Sequence, residues 1–146
     1  MGIDSADLEE DCGDEGGSVT IENALDGSNV WQHNTTETHY FVVDLGQIVN
    51  VQQVRGRSGG DLSRDPTIVN IYVSETNGNW GTAVNPAIIT TWQDTVTWQE
   101  VALNAKNGRY VKVEITTTED AATKLEFGGP TGGFYKIFDV YSAPIV

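Results

Sequence analysis

From Val19 onward the chain breaks into short runs rich in β-branched and aromatic residues, and their apolar positions recur every second residue. In RYVKVEITTT (109–118), Val111, Val113 and Ile115 fall on one face, opposite Tyr110, Lys112 and Glu114. Phe138 and Val140 likewise oppose Ile137, Asp139 and Tyr141. Similar runs occur at HYFVVDLG (39–46), VNVQQVRGR (49–57), TIVNIYVS (67–74) and VTWQEVAL (96–103). Between them lie turn-forming segments: Asn50, Gly59-Gly60, Asn77-Gly78-Asn79, Asn107-Gly108 and GGPTGG (128–133). A period of two requires extended backbone with one buried face. Many such strands in one chain predict an all-β antiparallel β-sandwich.

At 146 residues the chain suits one domain with one core, with no internal repeat. Its 38% hydrophobic content, with four Trp, five Tyr and four Phe, is enough to bury that core. Trp31, Trp80 and Trp98 are expected to pack near strand ends. The net charge of −13 is unevenly spread. Seven acids and no base fall in residues 1–15, leaving 14 acids against eight bases in the rest. Residues 1–17 therefore read as an acidic, loosely ordered leader ahead of a domain at 18–146. Nucleic acid is excluded as a partner, because no basic patch can displace phosphate counterions. Cys12, in the acidic stretch, is the only cysteine, so no intrachain disulfide can form. No apolar stretch has membrane-spanning length, and no signal-peptide pattern is found.

Catalytic signatures are missing too. His33 and His39 lack the spacing of a helical zinc motif, and no nucleophile elbow or phosphate-cradling loop occurs. No carboxylate pair stands in a glycosidase context, so the chain reads as a non-enzyme.

The order of six stretches resembles the galactose-binding-like jelly rolls, which include the discoidin (coagulation factor C-type) domains and many bacterial carbohydrate-binding modules. These stretches are ENALDGSNVW (22–31), YFVVDLGQIVNVQQVRGR (40–57), IVNIYVSETNGNWG (68–81), WQEVAL (98–103), RYVKVEI (109–115) and KIFDVYS (136–142). The resemblance implies a jelly roll and a monomeric carbohydrate-binding module belonging to a secreted or cell-surface protein. A protein-interaction or adhesion domain is the alternative it leaves open.

In sugar-binding relatives, loops at one end of the sandwich supply a His after the first Trp, an Arg ending the third strand, an Asn, and an aromatic before the last strand. The matching positions here are His33, Arg57 and either Phe127 or Phe134, while Asp61, Arg64 and Asp65 stand where the Asn is expected. Guanidinium donors and aromatic faces suit hydroxyls and pyranose rings. Other uses stay open: Arg57 can pair with Asp61 or Asp65, His33 can be a bystander, and Phe127 can cap the core. Relatives also hold a structural calcium through an Asp-Gly loop and a last-strand Glu. Asp26 matches the loop, Ile137 takes the Glu position, and Asp139 is the substitute.

Overall fold

The computed structural model describes residues 2–59, 63–128 and 135–145. A single 3-10 turn (Ser5–Asp7) leads into β1 (Leu8–Asp11), α1 (Ile21–Asp26) and β2 (Trp31–His33). These are followed by β3 (His39–Ser58), β4 (Pro66–Ser74), β5 (Thr95–Thr118), β6 (Leu125–Phe127) and β7 (Phe138–Ala143). The expected all-β antiparallel sandwich is found, and the only α-helix among the described residues has six residues. No described helix is long and apolar enough to cross a membrane.

Two long strands build both layers. The first half of β3 lies between β1 and the second half of β5, and β4 completes that layer along β5. The second half of β3 lies between β7 and the first half of β5. The register breaks between Asp44 and Val49, where Gly46 takes φ 82° and its N–H donates to Asp44 Oδ1 at 2.8 Å. A left-handed conformation suits glycine, and the break lets the sheet fold over on itself. Phe41 before the corner therefore meets Phe138 from the other layer, with ring centroids 5.4 Å apart. Consequently β3 starts and ends at the same pole.

Aromatic rings fill the space under that pole. Trp31 packs edge-on against Phe41, and Trp92 contacts both Phe127 and Phe138. All five side chains are fully buried. Trp92 fits only because residue 56 is glycine: a Cβ there would lie 2.5 Å from the indole. The β2–β6 pair closes the layer, with Trp31 opposite Phe127. Helix α1 is capped by Thr20, whose Oγ1 accepts the Asn23 N–H, and ends at left-handed Gly27. Its Ile21, Ala24 and Leu25 complete the core.

The acidic leader departs from expectation. Leu8–Asp11 pairs with Val43–Phe41 as an edge strand, and Ile3 is fully buried in the core. The Ile3 N–H donates to Asp139 Oδ1 at 2.9 Å, and the Ser5 N–H to Asp26 Oδ1 at 2.8 Å. The acids do local work. Asp4 and Asp7 form a capping box, and Asp11 and Asp14 accept the N–H groups of Gly13 and Gly16. Charge on an edge strand also discourages further pairing. Too few apolar residues stand in this stretch for periodicity to reveal it. Replacing Ile3 with Ala should cost about 2–5 kcal/mol of stability, the range for emptying a core site. Chemical denaturation checks this, and an unchanged midpoint would return the segment to solvent.

Candidate functional site

A buried polar node roots the loops at the pole where β3 starts and ends. Ser58, the last residue of β3, donates its hydroxyl to Asp65 Oδ1 at 2.9 Å. Gly128, just after β6, donates its N–H to Ser58 Oγ at 3.1 Å. The Asp94 N–H donates to Asp65 Oδ2 at 2.8 Å, and the Glu119 N–H to the Asp65 carbonyl at 3.0 Å. Ser58 and Asp94 thus bind the carboxylate directly, Gly128 and Glu119 join through the Ser58 hydroxyl and the Asp65 carbonyl, and Asp65 has no exposed surface. Burial pushes the Asp65 carboxyl up to about 7, against the pull of the bonds from Asp94 N–H and Ser58.

Around this node the surface carries cations and rings. Arg57 donates Nε–H to the Lys136 carbonyl at 2.8 Å, and its guanidinium lies 4.0 Å from the Trp98 ring centroid and 4.6 Å from that of Tyr135. Arg55 extends the stack, 4.1 Å from Trp98 and 5.3 Å from Tyr141. Contacts of this kind hold a guanidinium flat without using up its terminal donors. On the other leg of the same loop, Arg64 Nη1–H donates to Asn34 Oδ1 at 2.9 Å, and the Arg64 carbonyl accepts the Glu126 N–H. On this rim, Arg57 with Trp98 and Tyr135 stands at one end of the loop that follows β3 and Arg64 with Asn34 at the other, and the Trp98 and Tyr135 rings are partly exposed. By contrast, the depression around Gln47, Ile48 and Ile145 near the β3 corner contains no charged side chain.

The structure separates the residues expected to form one site. Arg57 and Arg64 flank a common loop, but His33 is buried, with Nδ1 3.3 Å from Cys12 Sγ and 3.1 Å from His39 Nδ1. Phe127 is fully buried against Trp92, so it is core and not a platform. Asp61 and Phe134 lie outside the described residues. The rings that do reach the rim are Trp98 and Tyr135, and both are partly exposed. Trp98 had been expected to pack inside, yet it alternates with Val101 and Leu103, which pack on the core, and shares its face with exposed Glu100 and Ala102. Its parity along the strand was the available signal. Asn34 carried none.

Asp26 and Asp139, the residues expected to hold calcium, are both engaged within the protein. Asp139 Oδ2 accepts Arg55 Nε–H at 3.1 Å and Nη2–H at 2.7 Å, while Oδ1 accepts the Ile3 N–H and lies 3.1 Å from Lys136 Nζ. Burial alone would raise its pKa, but the Ile3 N–H, Arg55 and Lys136 outweigh that and hold the carboxyl below its usual range. Oxygens engaged by two cations and an amide have little left for a hard cation. Elsewhere, Cys12, His33, Glu37 and His39 form one group with ligand atoms close enough to hold a metal ion, and Asp65, Asp94 and Glu119 form another.

Two outcomes test this layout. Phe127→Ala should lower stability by about 3–5 kcal/mol, as for a buried ring, whereas Trp98→Ala should leave the urea midpoint close to that of the parent chain. The second concerns Asp65. Between the ordinary carboxylate range and about 7, the native protein holds a proton that the unfolded chain has lost. The contribution of Asp65 to stability therefore falls as pH rises through that window. Asp65→Asn should flatten the melting temperature between about pH 4 and 7, and an unchanged slope would show that another group controls it.

The sequence pattern of the F5/8 type C domain family matches residues 7–127. Among curated protein sequences none is a match. Several solved structures share the fold. One is the chitosan-binding module 1 from a chitosanase/glucanase of Paenibacillus sp. IK-5, 21% identical, with TM-score 0.63, covering 90% of this chain and 92% of that one. A second is the CBM32 of AlyQ in complex with 4,5-unsaturated mannuronic acid, at 18% identity and TM-score 0.70, covering 97% and 98%. A third, CBM32-3 from a family 31 glycoside hydrolase of Clostridium perfringens, is 17% identical with TM-score 0.66, covering 96% and 94%. With its sandwich, the loops rooted at one pole and a family pattern spanning most of its length, this chain belongs to the F5/8 type C, or discoidin, domain family.

Proposed function

We propose that the chain is a non-catalytic carbohydrate-binding module, monomeric and carried by a larger secreted or cell-surface protein, with the Arg57–Arg64 rim as its sugar site. The observation that carries this reading is the Arg57 guanidinium held between Trp98 and Tyr135, on the same loop that sets Arg64 against Asn34. A flat guanidinium offers paired donors to vicinal hydroxyls, and the adjacent rings offer an apolar face to a pyranose. Similar structures support it: one fold relative is in complex with 4,5-unsaturated mannuronic acid, and another, chitosan-binding module 2, with chitotriose. The rim residues are donors and apolar faces, and none of them is a nucleophile paired with a base. They form an open surface, so binding is weak, with Kd from about micromolar to millimolar.

A glycan array of neutral and acidic saccharides, followed by calorimetric titration of its hits, tests the proposal. Arg57→Ala should weaken binding by about 1–3 kcal/mol, roughly 5- to 150-fold, because a sugar hydroxyl loses its partner in a partly desolvated site. Equal affinity of both proteins would remove the rim from the site. An array with no hit would transfer the function to protein interaction.

A further inference from the structure

The His33 that the rim leaves out belongs to a different constellation. Cys12 follows β1, His33 ends β2, His39 begins β3, and Glu37 stands in the loop between the two histidines. Their donor atoms all lie within 4.8 Å of one another. We propose that Cys12 Sγ, His33 Nδ1 and His39 Nδ1, with Glu37 as fourth ligand, form a zinc site that ties the N-terminal edge strand to the sandwich.

The triangle of Cys12, His33 and His39 donor atoms approaches the face of a tetrahedral centre. With Zn–S about 2.3 Å and Zn–N about 2.0–2.1 Å, the S···N edges of the tetrahedron are about 3.5 Å and the N···N edge about 3.4 Å. The two S···N distances are 3.3 and 3.8 Å, and the N···N distance is 3.1 Å. Glu37 Oε1 lies 3.7 Å from His33 Nδ1, close to the same edge length. His33 and His39 are both buried, while Glu37 is half exposed and leaves a route for the ion.

A backbone carbonyl orients the His39 ring. His39 Nε2 stands 2.6 Å from the Thr123 carbonyl oxygen. A carbonyl can only accept, so Nε2 carries the proton and the Nδ1 lone pair points into the cluster. The Thr35 hydroxyl, which can donate or accept, lies 3.2 Å from His33 Nε2 and 3.3 Å from its Nδ1. Two Nδ1 atoms 3.1 Å apart cannot both carry a proton, and with His33 in its Nε2–H tautomer both lone pairs converge on a cation. One thiolate and two imidazoles favour zinc or cobalt over calcium or magnesium. On binding, the Cys12 thiol forms the S–Zn bond and releases its proton to solvent, while both imidazoles bind neutral. The ligands come from the N-terminal segment, β2 and β3, which are separate in sequence. An ion there adds a cross-link to an edge strand already held by Ile3, the β1–β3 ladder and hydrogen bonds to Asp26 and Asp139.

Cobalt(II) and zinc(II) titrations of the untagged, chelator-treated full chain test this. Cobalt should give intense visible d–d bands and a near-ultraviolet thiolate charge-transfer band, both removed by added zinc. Zinc, unlike calcium, should raise the melting temperature and slow alkylation of Cys12 by iodoacetamide. Cys12→Ser should abolish the charge-transfer band and weaken zinc binding by about tenfold or more. The alkylation readout uses the parent chain, so it stands even if the variant folds poorly. Weak octahedral-type cobalt bands, unprotected Cys12, or a Cys12→Ser protein that binds cobalt as the parent does would overturn the site.

Discussion

The structure depends on the pairing of β3 with β5, strands of 20 and 24 residues that each run through both layers. Every other strand of the main sheet adds to an edge that these two provide. Because the pair bends at Asp44–Val49, its inner faces meet, and Phe41, Val54, Val113 and Phe138 share one core. The corner is held by a two-point ion pair, Arg109 Nε–H and Nη2–H donating to Asp44 Oδ1 and Oδ2 at 2.7 and 2.9 Å. Arg109 holds the Asp44 carboxyl below its usual range. The bend also returns the end of β3 to the pole where it began, so the loops after β2, β3 and β6 emerge together.

That pole carries two arrangements with different chemistry. Outside, guanidinium groups lie on indole and phenol rings, an arrangement suited to binding and releasing a hydroxyl-rich ligand at little conformational cost. Beneath it, Cys12, His33 and His39 are packed beside Trp31, whose ring stands edge-on to His39 at 6.4 Å. The buried Asp65 node sets the loop roots.

An acid-rich chain of this size must place its charges without self-repulsion in the core. Here many acids are local caps and Asx turns, lie exposed on the edge strand, or pair with an arginine or lysine. Asp65 is the exception. It is fully buried and held by hydroxyl and amide donors, with no cation among them. A carboxyl so placed organises loops well at the expense of an acid–base equilibrium shifted toward the neutral form.

Alternation alone determined the strands. Val111, Val113 and Ile115 must share a face in any extended chain, so β5, β7 and the sandwich class were legible, and the ordered stretches pointed to the discoidin family. Arg57 was legible through that resemblance, as the Arg that ends the matching strand. The sequence could not show that Phe127 points inward, because β6 has only three residues and its direction is set by pairing with β2. Nor could it show that an acidic segment with one Ile and one Leu would be captured as an edge strand, since that depends on the free edge of β3 and on Asp139 waiting for an amide. Cys12, His33 and His39 have no motif spacing; only the antiparallel register of β1 on β3 and the short β2 bring their donor atoms within bonding range of one point. Local pattern determines which face a residue takes, but long-range pairing decides what stands opposite it.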